Sequence, residues 1–167
     1  GQAPVNLAGE ARITASGALN DSYHPRHTAD GVIPAAQSRH DVEQAWCLPN
    51  RDAAGAWLSL EWDREVTVAS VVYWGRTAWL DNENFKACEL LLGSDDDPLV
   101  SRKLSRGPQP QAIVLPEPIR TRMLRLRFPN HYGGPNPGAS EIGVFGAVPT
   151  AGELDVYQYG PADVSEP

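Results

Sequence analysis

Ala56-Trp57-Leu58-Ser59-Leu60-Glu61-Trp62 alternates without a break. Leu58, Leu60 and Trp62 fall on one face and Trp57, Ser59 and Glu61 on the other, a period of two that marks an extended strand. Residues 66–74 come next with β-branched and aromatic side chains, the composition of a buried strand. Asp63-Arg64-Glu65 between them reads as a polar turn. Residues 122–128 repeat the alternation, with Leu124, Leu126 and Phe128 inward and Met123, Arg125 and Arg127 outward. Shorter strand candidates are residues 13–14, 85–93 (Cys88, Leu90 and Leu92 on one face), 99–104, 112–115 and 142–145. Gly107-Pro108-Gln109-Pro110 and the run from Pro129 to Gly138 break regular structure. No helical apolar period is sustained and no repeat is visible. Many short strands punctuated by Gly and Pro predict an all-β fold, an antiparallel β-sandwich of jelly-roll type.

The chain has 167 residues, enough for one domain with a sizeable core. Five Trp and 41% hydrophobic residues argue against disorder. A net charge of −7 disfavours nucleic acid or an anionic membrane as the main partner, because phosphate binding needs a basic face. No apolar run reaches the ~18 residues of a membrane span. No charged-then-apolar leader is present, so a signal peptide is expected to be absent or already removed. Cys47 and Cys88 read either as a disulfide or as two buried thiols. After Gly146 the chain turns Pro-, Gly- and acid-rich, so residues 148–167 are expected to be a tail or linker, with a short edge strand over residues 153–159 as the lesser reading.

Asp30-Gly31 marks a turn in which Gly supplies a positive φ and Asp either folds back on the backbone or grips a hard cation. Glu141, opening the last strand, supplies a second carboxylate. Together they suggest a clasp between the two ends of the domain, around a calcium ion; on the residues alone an Asp-Gly turn and a surface Glu is the plainer reading.

The order of Asn6-Leu7-Ala8, Thr28-Ala29-Asp30-Gly31, Trp46, residues 56–62, Tyr73-Trp74-Gly75-Arg76, residues 89–96, Leu124-Arg125-Leu126-Arg127 and residues 139–146 resembles the discoidin-like, coagulation factor 5/8 type C domains and family 32 carbohydrate-binding modules. These are galactose-binding-like β-sandwiches, and the resemblance covers roughly residues 4–147. It implies a structural calcium ion held by Asp30 and Glu141 with carbonyls of His27, Val32, Ala35 and Ser140. It also implies a sugar-binding Arg at Arg76. The resemblance departs in two places. The stretch between Asp30-Gly31 and Trp46 is longer here, and the family's binding His after that Trp is replaced by Cys47-Leu48-Pro49.

Sugar-binding surfaces combine an aromatic face with charged or amide groups on loops at one end of a sandwich. Arg76, Trp79, His131 and Tyr132 are the leading candidates, with Asn84, Tyr23, His24, Arg39 and His40 around them. Each leading residue also has a plainer reading: Arg76 as a salt-bridge partner of Asp81 or Glu83, Trp79 as a cap on the core, and Tyr132 as packing over the sandwich end. The four His could in principle hold zinc, and Asp30 with Glu141 could in principle be a glycosidase pair. No nucleophile elbow, P-loop or His-Glu-x-x-His is present, so no enzyme is expected.

The function expected is noncatalytic binding of a glycan or polysaccharide by a secreted, cell-surface or periplasmic module of a larger multidomain protein. A discoidin-like module for a protein or lipid surface, or a purely structural accessory domain, are the alternatives. Loop tips that carry mainly Arg, His, Asn, Gly and Pro, with Trp79 the one clear exception, speak against the apolar spikes of the membrane-binding relatives.

Overall fold

The computed structural model describes residues 5–34, 40–77, 81–93 and 97–154. Ala35, Arg39 and Trp79, three of the candidate site residues, lie outside them. The expected all-β sandwich is found. In chain order the strands are β1 (Arg12–Ala15), β2 (Trp46–Cys47), β3 (Ala56–Trp74), β4 (Ala87–Leu91), β5 (Val100–Lys103), β6 (Pro110–Phe128), β7 (Gly138–Ala139) and β8 (Glu141–Phe145). Two one-turn helices, α1 (Asn50–Ala53) and α2 (Ala151–Leu154), and three 3₁₀ turns complete the described chain.

The scaffold is an antiparallel ribbon of β3 and β6, each 19 residues long. The first part of β3 pairs with β1 on one side and with residues 123–128 of β6 on the other, beyond which lie β4 and β5. The last part of β3 pairs with the start of β6 and with β8. One ribbon thus supplies strands to both layers, and the register shifts between Glu61 and Val66 and between Val68 and Ser70 are where it bends.

These bends correct two sequence expectations. Asp63-Arg64-Glu65 is not a turn between strands but part of β3, at the first irregularity. Residues 112–115 and 122–128 are not separate strands but one, β6. Pro116 and Pro118 are tolerated inside it because the ladder skips from Val114 to Ile119, so no N–H is owed to β3 there.

Leu58, Leu60, Trp62, Val66 and Val68 point into the core, and after the second irregularity Val71 and Tyr73 do so instead. Leu124, Leu126 and Phe128 face them, as their alternation predicts. Phe85 and Phe128 stack at 4.1 Å, with Trp46 and Tyr73 tilted around them. Each such ring contributes ~1.5–3 kcal/mol of burial. Cys47 and Cys88 are both buried free thiols, the second of the two readings; burial pushes the Cys47 thiol up to about 12.

A second apolar cluster covers the outer face of β3 and β8: Ile33, Val72, Trp74 and Phe145, with Leu154 of α2 packed against it. Residues 151–154 form this helical turn, and most of the 153–159 stretch considered for an edge strand lies outside the described residues. Within the cluster, Ile33 bears most directly on the functional end of the molecule. It anchors the turn after Asp30 onto Trp74, whose ladder partner is Glu141.

Candidate functional site

Two charged centres lie near the end of the sandwich where β3 stops and β8 begins. The first is the Asp30-Gly31 turn against Glu141. Gly31 has φ 77°, the left-handed geometry its type suits. Its N–H donates to Glu141 Oε2 at 2.9 Å, and the Val32 N–H donates to Asp30 Oδ1 at 2.8 Å. The two carboxyl groups are close enough for each to feel the other. Glu141 is 1% exposed. Burial first, then the charge of Asp30, raises its carboxyl to about 10. Asp30 sits at the solvent side of the pair, and partial burial raises it too.

Glu141 Oε1 and Ser140 Oγ are buried without any hydrogen-bond partner, as is His27 Nε2. Two carboxylates drawn together with oxygen atoms left unmet are a donor set that suits a hard cation. The residues named from sequence therefore fit calcium: Asp30 and Glu141 as carboxylates, with oxygens of His27, Val32 and Ser140 adjacent in the chain. Among the described residues no three of His, Cys, Asp and Glu form a metal-binding group, so the zinc reading of the four His is not met.

The second centre surrounds Arg76. A Cβ at the preceding Gly75 would collide with the Gly107 carbonyl and the Asn84 amide, so Gly is what lets the chain pass. Arg76 Nε and Nη2 donate to Asp41 Oδ2 and Oδ1, both at 2.8 Å, a bidentate pair. Nη1 donates to the Asn136 carbonyl at 2.9 Å and lies 3.4 Å from Glu83 Oε2. The Tyr23 ring centre sits 5.2 Å from the guanidinium carbon. Burial opposes the Arg76 charge, but the hydrogen bonds and charge of Asp41 outweigh it and hold the pKa above the ordinary value. Burial raises the Glu83 carboxyl and the Tyr23 hydroxyl.

The head expected to be open to a sugar is thus closed in, 5% exposed and occupied on all three nitrogens. This is the salt-bridge reading of Arg76, buried rather than at the surface. Asn84 is fully buried as well: Oδ1 accepts the Arg76 N–H at 2.6 Å and Nδ2 donates to the Asp81 carbonyl. Both residues stitch loops together. Glu83 Oε1 accepts the Asn136 N–H, and the Gly134 and Tyr132 N–H groups donate to the Asn82 and Asn84 carbonyls.

Of the remaining candidates, Tyr23, His24 and His131 are half-buried and His40 is exposed. His24 Nδ1 accepts the Arg26 N–H and His131 Nδ1 accepts the Gly133 N–H, which fixes both rings. Tyr132 is half-buried too, but its ring faces Arg106 and Lys86, and its hydroxyl donates to the Leu104 carbonyl. Cys47 and Leu48, in the place of the family's binding His, are buried and offer nothing to a ligand. Sequence reasoning does not single out Asp41, Lys86 or Arg106. Asp41 lies 35 residues from Arg76, and no local pattern marks the pairing.

The bent two-layer ribbon is an antiparallel β-sandwich with the fold of the galactose-binding-like family 32 modules and F5/8 type C domains to which it is similar. Residues 6–145 match the family described as a domain of unknown function, DUF7402, and the chain belongs to that family. No curated protein is similar enough in sequence to count as a match. Among solved structures, the chain is similar to the family 32 module of NanJ from C. perfringens in complex with galactose. The identity is 15% and the TM-score 0.61, over 84% of this chain and 97% of that one. An F5/8 type C domain from Bacteroides fragilis gives 16% identity and a TM-score of 0.64 over 86% and 95%. A chitosan-binding module of a chitosanase/glucanase from Paenibacillus sp. gives 14% and 0.60 over 85% and 99%.

Proposed function

We propose that this chain is a noncatalytic carbohydrate-binding module, stabilised by a calcium ion in the Asp30–Glu141 clasp. The observation that carries the reading is the Asp41–Arg76–Glu83 cluster. It locks three loops at one end of a fold shared with modules solved with bound galactose or named for chitosan binding. Arg76 and Asn84 then act by positioning. The sugar would meet Tyr23, His24, His40 and His131, with Arg39 and Trp79 from the segments outside the described residues.

Such an ion would supply positive charge to two carboxylates that otherwise face each other unneutralised. It would be held by Asp30, Glu141, Ser140 and carbonyls of His27 and Val32, with Ala35 as in the family pattern. Its role is to tie the two ends of the domain and favour the folded state.

No helix among the described residues is long and apolar enough to cross a membrane. A secreted or surface location, in a larger protein whose catalytic or adhesive part this module directs to a glycan, accords with weak single-site sugar binding compensated by linkage. A glycan array probed with the calcium-loaded chain tests the reading. Binding to at least one glycan class is expected, lost in Trp79→Ala and His131→Ala with the melting temperature unchanged. An array without any signal, or full binding by both variants, would overturn it.

A further inference from the structure

From the surroundings of Tyr132 we propose that the glycan is anionic, carrying carboxylate or sulfate groups, and that Lys86 and Arg106 bind them. This rests on the carbohydrate-binding reading. The Arg106 guanidinium carbon lies 4.9 Å from the centre of the Tyr132 ring and Lys86 Nζ 5.6 Å from it. One aromatic ring thus lies within cation–π reach of two like charges. The ring is fixed at its far end by the hydroxyl bond to the Leu104 carbonyl, and the Tyr132 backbone N–H donates to the Asn84 carbonyl in the locked loop cluster. The platform is therefore continuous with the end of the sandwich where the sugar is placed.

Within the described protein this pair is only partly compensated. Arg106 has only a solvent-exposed, 3.4 Å contact with Asp81, and among the described residues no carboxylate lies within ion-pair distance of Lys86. This pairing occurs in a chain of net charge −7 with only two lysines, Lys86 and Lys103.

Lys103 and Arg102 have an ordinary explanation. They are exposed on β5, an edge strand, where charge discourages pairing with other chains. Lys86 and Arg106 lie outside the β4 and β5 ladders and gain nothing from that rule. An anionic group bound at this ring would meet both heads through charge-assisted hydrogen bonds. In this proposal Tyr132 serves as the support of the two cations rather than as a stacking surface for the sugar.

The test is affinity electrophoresis of the calcium-loaded chain in gels containing polygalacturonate, heparin or neutral galactan, run beside the Lys86→Gln/Arg106→Gln double variant. Both side chains are exposed, so the variant keeps the wild-type melting temperature. Wild type is expected to be retarded by polygalacturonate or heparin, the two arms separating carboxylate from sulfate. Retardation weakens at about 0.15 M salt, where screening acts over ~8 Å. The variant loses about tenfold or more in affinity for the retarding polymer. Retardation by galactan alone would overturn the anionic assignment and leave the carbohydrate reading standing. Equal retardation of variant and wild type, or equal competition by duplex DNA, would also overturn it. Absence of retardation in all three gels, with an empty glycan array, would remove both.

Discussion

The two charged centres at this end of the sandwich are opposites. Around Arg76, two buried carboxylates meet one guanidinium, and the guanidinium nitrogens are met by Asp41, Glu83 and the Asn136 carbonyl. Around Glu141, two carboxylates meet each other, and Glu141 Oε1 meets nothing. A satisfied buried cluster holds structure by itself, whereas an unsatisfied one calls for something from outside. The first centre is therefore read as scaffold, and the second is the one proposed above to take an ion, although the sequence suggested that the first would touch the ligand.

The largest expected effect breaks the satisfied centre. Arg76→Ala leaves Asp41 and Glu83 buried without their partner, and should cost ~3–5 kcal/mol in denaturant unfolding, equally with and without calcium. Sugar binding would then be lost through the loops. A loss of binding with an unchanged unfolding midpoint would instead return Arg76 to the ligand surface.

The next effect belongs to the unsatisfied centre. Calcium at about a hundred times its dissociation constant should stabilise wild type by ~2.7 kcal/mol, several degrees in melting temperature. Glu141→Gln should be at least as stable as wild type in chelator and gain nothing from calcium, as thermal scans of both would show.

A smaller effect is in pH. In the metal-free protein the Glu141 carboxyl is raised from its ordinary 4.5 to about 10. A group raised on folding stabilises fully below its unfolded pKa, and that contribution is lost as pH rises toward its folded value. Chelator-treated wild type should therefore lose stability from about pH 5 upward relative to Glu141→Gln. Because calcium needs both carboxylates ionised, its stabilising effect should grow over the same window. Parallel pH profiles for the two proteins would contradict this.

The smallest effect serves as the baseline for both centres. The Arg12–Glu61 pair, at 3.4 Å and well exposed, should contribute less than ~1 kcal/mol, so Arg12→Ala should unfold close to wild type.

The inward faces of β3 and β6 are legible in the sequence, because alternation is a local signal. Their continuity is not. A polar Asp-Arg-Glu triplet and a Pro-Glu-Pro step look locally like chain reversals, and only pairing with a partner strand shows that they are irregularities within a strand. The clasp is legible through family resemblance, since Asp30 and Glu141 stand 111 positions apart and neither is unusual in its own neighbourhood. The burial of Arg76 is not legible. It depends on Asp41 folding back from a loop whose composition reads as exposed, and on Glu83, which sequence could name only as one of two partners.

Isothermal calorimetry of calcium added to chelator-stripped protein tests the unsatisfied centre most directly. One binding site in wild type, absent from Glu141→Gln, is the result expected. No binding in wild type, or equal binding by Glu141→Gln, would contradict it.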